Sequence, residues 1–498
     1  MTIKSTAVRR VIAGAGAFAL AVTGVLASGM AASAVVGPGP DQPGAPESGS
    51  LTINKYKGQP TANPAVDDLL SGVQFIVTQV GRTVDGTCEP LDLTEISEWD
   101  GIEALFPAAA GAPASAPSDP FCLTSNVYDE TTDGNGQIVL DDLPLSLYFV
   151  QEGTDNGDNS IVSKVPDFYV SVPTSLDAAA GWEYDVVVNP KNAVLNQPSK
   201  AIDEDQQDLV VGSDVTWTLD VPIPVLNNDE TFTEAVVTDV LDSRLSYSGT
   251  TSVEIAGTPT TDFVYDAAAG TWTFGATARA ALDAAAEGSS ITIVFTTTVN
   301  AVGDGSIPND DYSSTFNGTT IPGEVVPFTY WGQLSIQKND NSTPVRALEG
   351  AEFQVFDAAD EGVCPAEAPA SGEIATGVSD ASGVVQWAGV TPTNVLGLWV
   401  ANTQTEDASV SKVYCVYETV VPAGHTAVPF APEVTITPGA PVTGESALTV
   451  VNDKQQGPNL PLTGGTGSWA LAIGGLLLVG GGVASLVIAR HRREKVVD

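Results

Sequence analysis

Leu51-Thr52-Ile53-Asn54-Lys55 and Leu334-Ser335-Ile336-Gln337-Lys338 alternate apolar and polar residues with period two. That period turns one face of an extended chain inward and the other toward water, so each stretch reads as a half-buried β-strand. The same alternation sends Lys55 and Lys338 toward the core. The two stretches open longer passages that repeat each other. Leu70-Ser71-Gly72-Val73-Gln74-Phe75 matches Leu348-Glu349-Gly350-Ala351-Glu352-Phe353, and turn-like Asp133-Gly134-Asn135-Gly136 matches Asp380-Ala381-Ser382-Gly383. Tyr148-x-Val150-x-Glu152 matches Tyr414-x-Val416-x-Glu418. Each passage ends on a Val-rich strand carrying an asparagine: Val186-Val187-Val188 leads to Asn192, and Leu448-Thr449-Val450-Val451 leads to Asn452. One order of strands met twice predicts two copies of one β-sandwich.

Between the copies, about Gln197 to Pro327, strand patterns recur at Val215–Leu219, Ala235–Thr238 and Ile291–Phe295, with one Ala-rich stretch, Ala278–Glu287, that suits a short helix. A chain of 498 residues exceeds one core. The expected fold is therefore all-β, with three tandem sandwiches at 51–196, 197–328 and 329–456. The Pro/Gly-rich stretch 35–50 reads as a flexible lead-in.

Both ends carry targeting signals. Lys4, Arg9 and Arg10 precede an apolar run ending at Ala32-Ser33-Ala34, a secretory signal over 1–34 with its cleavage site. Within 457–498, Trp469 to Ala489 is apolar enough for a membrane-spanning helix, and Arg490, Arg492, Arg493 and Lys495 would hold its end inside. Leu460-Pro461-Leu462-Thr463-Gly464 stands before the span. In that setting it resembles the cell-wall sorting signal cut by sortases between the Thr and the Gly; a plain one-span membrane protein is the alternative.

Composition narrows function. With 61 acidic and 19 basic residues the net charge is −42, so no nucleic-acid partner is expected. Two histidines, His425 and His491, leave little for His-based catalysis or a metal site, and no metal or other cofactor is expected. The acidic group Asp203, Glu204, Asp205 and Asp208 lacks calcium-loop spacing and reads as solvated surface, and Asp155–Asn159 as a hydrated turn. Four cysteines in a secreted chain suggest disulfides. Pairing within units, Cys88 with Cys122 and Cys364 with Cys415, is the most economical of three connectivities.

The chemistry centres on lysines where an unpaired ammonium would be costly. Glu152 and Glu418 continue their alternations inward, as Lys55 and Lys338 do, so one amine, one acid and one carboxamide would meet in each outer sandwich. Burial lowers a lysine pKa and raises that of an acid, so both can be neutral. A neutral lysine can attack the asparagine carboxamide while Glu152 or Glu418 shuttles protons, leaving an amide and ammonia. Links Lys55–Asn192 and Lys338–Asn452 would follow; a buried ion pair without a covalent step is the alternative.

Taken together these features resemble the major pilins of Gram-positive bacteria, the SpaA/SpaH type built from immunoglobulin-like Cna B-type and Cna A-like domains. Gly49 to Tyr56 resembles the family's opening strand, and the Glu152 and Glu418 stretches its E-box. The resemblance implies a third link in the middle unit, Lys200 to Asn309 with Asp239 as the acid; Asp242 and Asn317 are rivals. Trp182-x-x-x-Val186-x-Val188-Asn189-Pro190-Lys191 resembles the pilin motif W-x3-V-x-V-Y-P-K, with Asn189 in place of Tyr. By that resemblance Lys191 is the amine that sortase joins to the next subunit. The implied function is the structural backbone subunit of a covalent pilus supporting adhesion, with no catalysis beyond its own cross-linking. Implied partners are identical subunits, pilus-type and housekeeping sortases, peptidoglycan, minor pilins and host ligands. The implied location is the extracellular pilus and cell wall, after transient membrane anchoring. A monomeric wall-anchored adhesin is the main alternative, and a wall-anchored hydrolase using paired carboxylates a weaker one.

Overall fold

A computed structural model describes residues 36–58, 65, 68–107, 112–175, 181–227, 230–358, 362–439 and 447–455. The signal peptide, the sorting motif at Leu460–Gly464, the apolar span and the basic tail lie outside the described residues. Among the described residues, no helix is long and apolar enough to cross a membrane.

The chain folds as three β-sandwiches. In the first, the strand Ser48–Asn54 lies parallel to Asp185–Val188 and antiparallel to Gln137–Pro144. The facing sheet is centred on Gln74–Val84, flanked by Ser146–Glu152 and Phe121–Thr131. Leu51, Ile53, Phe75, Val77, Tyr148 and Val150 meet between the sheets, fully buried or nearly so, as their period-two spacing requires. The third sandwich repeats the arrangement. Phe328–Asp340 runs parallel to Ala447–Lys454, with Lys338 opposite Val450, and the facing sheet is centred on Glu352–Asp357 beside Lys412–Val420. In both, a first strand and a last strand lie side by side in one direction, a pairing that no hairpin can supply and that closes only when the whole unit is in place.

The middle sandwich is antiparallel throughout. Asp214–Pro222, Ser290–Val299 and Leu245–Ile255 form one sheet, and Thr271–Phe274, Ala235–Val240 and Asp311–Phe316 the other. Its helix spans Ala276–Asp283, displaced toward the N-terminus from the Ala-rich stretch expected to form it. Asp262 Oδ2 accepts from the Ala278 N–H at 2.9 Å and fixes the start. The left-handed Gly288 redirects the chain into Ser290–Val299, so the last residues of the Ala-rich run are not used.

Cys88–Cys122 and Cys364–Cys415 are disulfide-bonded within the first and third sandwiches, the pairing expected from the sequence. Closing loops of 34 and 51 residues stabilises each unit by about 4 kcal/mol on the chain-entropy model.

Two features differ from the expected organisation. The stretch expected as a flexible lead-in is built into the first sandwich: Val36–Gly37 pairs with Trp182–Glu183, and Tyr184 Oη donates to Pro38 O at 2.8 Å. Apolar packing against Trp182 and Tyr184 outweighs the local Pro/Gly preference for irregular chain. The boundary expected at 328/329 falls inside one strand, Phe328–Asp340. Its Tyr330 packs into the third core and its Trp331 into the middle core.

Candidate functional site

In the first sandwich Lys55 Nζ lies 2.7 Å from Glu152 Oε2 and 2.5 Å from Asn192 Oδ1. Asn192 Nδ2 donates to Glu152 Oε1 at 2.7 Å, and the Val165 N–H donates to Asn192 Oδ1 at 2.8 Å. Lys55 follows Ile53 into the core; Glu152 ends the strand that carries Tyr148 and Val150; Asn192 lies on Lys191–Val194. The Phe75 ring lies 5.3 Å from the amine. Desolvation by this apolar wall outweighs attraction to Glu152 and lowers the Lys55 pKa to about 8.

The middle set differs. Lys200 Nζ is 2.7 Å from Asp239 Oδ2 and 3.1 Å from the backbone oxygen of Asn309. The Tyr312 ring lies 4.2 Å from the amine. Burial pushes the Lys200 pKa down and the Asp239 pKa up, each shift opposed by attraction between the pair. Asp239 is buried against the Lys200 amine, and Asn309 is buried beside it. The rivals lie elsewhere. Asp242 is ion-paired with Arg244 at 2.8 Å, and Asn317 sits in an exposed turn accepting from the Thr233 N–H.

In the third sandwich Lys338 Nζ is 3.3 Å from Glu418 Oε1, to which Asn452 Nδ2 donates at 2.8 Å. Burial lowers the Lys338 pKa against the attraction of Glu418. Among the described residues, buried Asn452 Oδ1 and Glu418 Oε2 have no hydrogen-bond partner.

Each set thus brings together an amine, a carboxyl group and a carboxamide in a space closed to water. A buried polar group left without a partner costs about 1–3 kcal/mol, so the third set is poorly satisfied as separate side chains. An amide joining lysine to asparagine would replace an ammonium and a carboxamide NH2 with one N–H and one C=O, leaving fewer groups to satisfy. The acid beside it can accept from the one or, when protonated, donate to the other.

Lys191 begins the strand Lys191–Val194, pairs in register with Tyr56, and is half-buried. Burial lowers its pKa, while Glu287 of the middle sandwich pulls it back up. Among the described residues no acceptor engages Lys191 Nζ, whereas Lys164 Nζ donates to Gly153 O at 2.7 Å. The acidic group at Asp203–Asp208 is exposed, but its backbone joins two sandwiches: Asn402 Nδ2 donates to Asp203 O at 2.7 Å. Among the described residues no cluster of His, Cys, Asp and Glu is arranged to hold a metal ion.

No family model matches the chain. A fimbrial subunit type 2 of Actinomyces naeslundii is 30% identical over 541 aligned positions, covering 99% of this chain and 98% of the relative. The full-length major pilin SpaD of Corynebacterium diphtheriae superposes with a TM-score of 0.57 at 22% identity, covering 82% of this chain and 98% of that one. The second likeness speaks for the fold. The first spans both proteins almost end to end, and on it the chain belongs to the fimbrial subunits, the pilins of Gram-positive bacteria.

Proposed function

We propose that the chain is the shaft subunit of a sortase-assembled pilus, hardened from within by three autocatalytic isopeptide bonds and joined head to tail through Lys191. The observation that carries the reading is the juxtaposition of a buried lysine, a buried acid and an asparagine in each sandwich. In each, neutral Lys Nζ attacks Asn Cγ; a C–N bond forms, the bond to the carboxamide nitrogen breaks, and ammonia leaves. Glu152, Asp239 and Glu418 relay the proton from the amine to the departing nitrogen. The links would be Lys55–Asn192, Lys200–Asn309 and Lys338–Asn452.

For assembly, a pilus-type sortase cuts between Thr463 and Gly464 within Leu460-Pro461-Leu462-Thr463-Gly464 and holds Thr463 as a thioester. The amine of Lys191 on another subunit displaces the sortase thiol. The half-buried amine of Lys191, which meets no hydrogen-bond acceptor among the described residues, supports this choice over Lys164, which is tied to a carbonyl. One donor end and one acceptor amine per subunit make a heterologous contact that propagates as a filament. A housekeeping sortase would pass the last subunit to peptidoglycan, and minor pilins and host ligands would complete the structure.

The test is immunoblotting of wall extracts from cells. Wild type should give a high-mass ladder; Lys191→Ala should give wall-bound monomer alone; Thr463→Ala should give neither. A single wall-bound band in wild type would instead identify a monomeric adhesin.

A further inference from the structure

Asn227 belongs to the middle sandwich by sequence but spends its side chain on the first. It is 3% exposed. Its side-chain NH2 donates to Lys164 O at 3.1 Å, Ser163 O at 3.3 Å and Lys191 O at 3.3 Å, and its backbone N–H donates to Ser163 Oγ at 3.1 Å. Two N–H groups serve three carbonyl oxygens, so the amide sits at the centre of a clasp across the joint. The clasp closes on the strand that begins with Lys191. On its other side that strand is held by the Tyr56 N–H donating to Pro190 O and the Gly58 N–H donating to Asn192 O. The next residue, Asn192, is fixed in the buried set with Lys55 and Glu152. The backbone of Lys191 is therefore held from both sandwiches, while Nζ meets no hydrogen-bond acceptor among the described residues.

We infer that Asn227 is a positioning residue for acceptor Lys191, aiming its amine at the incoming acyl thioester. The inference rests on the reading of Lys191 as the acceptor. In the transfer, the Lys191 nitrogen forms an amide bond to the Thr463 carbonyl carbon as the C–S bond to sortase breaks, and one proton passes from nitrogen to the departing thiolate. A lysine side chain gives up rotamer freedom in such an encounter. A fixed Cα removes backbone wander from that search, and misplacing a reacting group by about 1 Å can cost up to a hundredfold in rate. A loosened joint would let Lys191 drift relative to the face on which sortase must dock.

The experiment uses the full-length chain as amine acceptor, a pilus-type sortase, and a peptide carrying Leu-Pro-Leu-Thr-Gly as acyl donor, with the modified lysine located by peptide mass mapping. Asn227→Ala should lower kcat/KM for transfer to Lys191 by about tenfold. Its reaction with a small amine-reactive ester, which needs no docking, should stay near wild type. Thr319→Val removes a different bond across the same joint, Thr319 Oγ1 to Ile161 O at 2.9 Å, and should leave transfer near wild type. Wild-type transfer by Asn227→Ala, an equal fall in Thr319→Val, or a parallel loss of small-ester labelling would each overturn the positioning role. Should Asn227→Ala fold poorly, Asn227→Ser takes its place with the same expectations. Full transfer persisting in Lys191→Ala would instead overturn the acceptor reading itself.

Discussion

A lysine costs least at the surface, so each lysine of this chain that is drawn inward needs a chemical reason. Lys55 and Lys338 were legible because two apolar residues at period two precede each of them, and the observed register keeps that alternation. Asp239 and Asn309 obey the same rule. Val237 and Asp239 are buried with Thr238 between them partly exposed, and Ile307 and Asn309 are buried around Pro308. Asn317, left as a rival, precedes a glycine between two strands and has φ 46°, the signature of a hairpin turn. Two predictions belong at this scale. Glu418→Ala should remove the proton relay of the third sandwich, so its intact mass should exceed the value expected from the substitution alone by about 17 Da, one retained ammonia. An unchanged deficit would remove Glu418 from the chemistry. Acylation needs the neutral amine, so the lowered pKa of Lys191 should make its labelling begin at lower pH than that of a solvated lysine. Glu287→Gln removes the charge that favours the ammonium and should move the pH profile lower still; a shift upward would contradict the assignment.

At the scale of strands, what the sequence carried was local period and repeat, and what it lacked was any sign of pairing across units. The parallel pairing of first and last strands follows from the repeat only once both ends of each passage are known to be strands. The Ala-rich helix was visible through propensity, but its limits were set by Asp262 and Gly288, which propensity does not weigh. Asn227 left no trace because a loop residue has no period, and its role depends on carbonyl groups of another sandwich. The proposed cross-links would act on elements. Lys200 lies on the strand Ser199–Ile202 and Asn309 immediately after the strand Ser306–Pro308, 109 residues on, and closing such a loop should contribute about 5 kcal/mol on the chain-entropy model. Asn309→Ala should therefore lower the denaturant midpoint of the middle sandwich and restore about 17 Da of mass. Asn317→Ala, in the turn, should leave the mass deficit as it is. Equal masses for the two variants would show that Asn309 takes no part in a link.

At the scale of the whole molecule, the two joints between sandwiches are built differently. The first is a clasp of side-chain bonds around Asn227 and Thr319. The second adds a backbone seam to side-chain bonds from Asn402 and Gln404 to Asp203 O and Ile202 O. Ser306–Pro308 pairs with the start of Phe328–Asp340, Val210 bridges to Leu398, the Val211 N–H donates to Gly397 O at 3.0 Å, and the Trp399 N–H donates to Leu209 O at 2.9 Å. Leu396 and Leu398 point into the third core while Val302 belongs to the middle one, and Gly397 lies between them. A Cβ on Gly397 would fall inside the contact distance of Val211 Cγ2 and press on Val302. Val302 is core and Val211 packs against it, so neither can swing into water, and the strain must open the seam. Overpacking of this kind costs about 1–3 kcal/mol. Gly397→Ala should leave all three proposed cross-links in place, because each proposed pair lies within one sandwich, and the intact mass should show it. In calorimetry, the middle and third sandwiches of the wild type should melt in one transition, since they share a strand and a seam. The variant should resolve them into two, with the third melting first because it loses the backing of Leu209–Val211. Solution scattering should show a wider spread of molecular lengths. A variant with one transition at the wild-type temperature would mean that the seam adds nothing to the stiffness of the shaft, and that the cross-links within each sandwich carry the load alone.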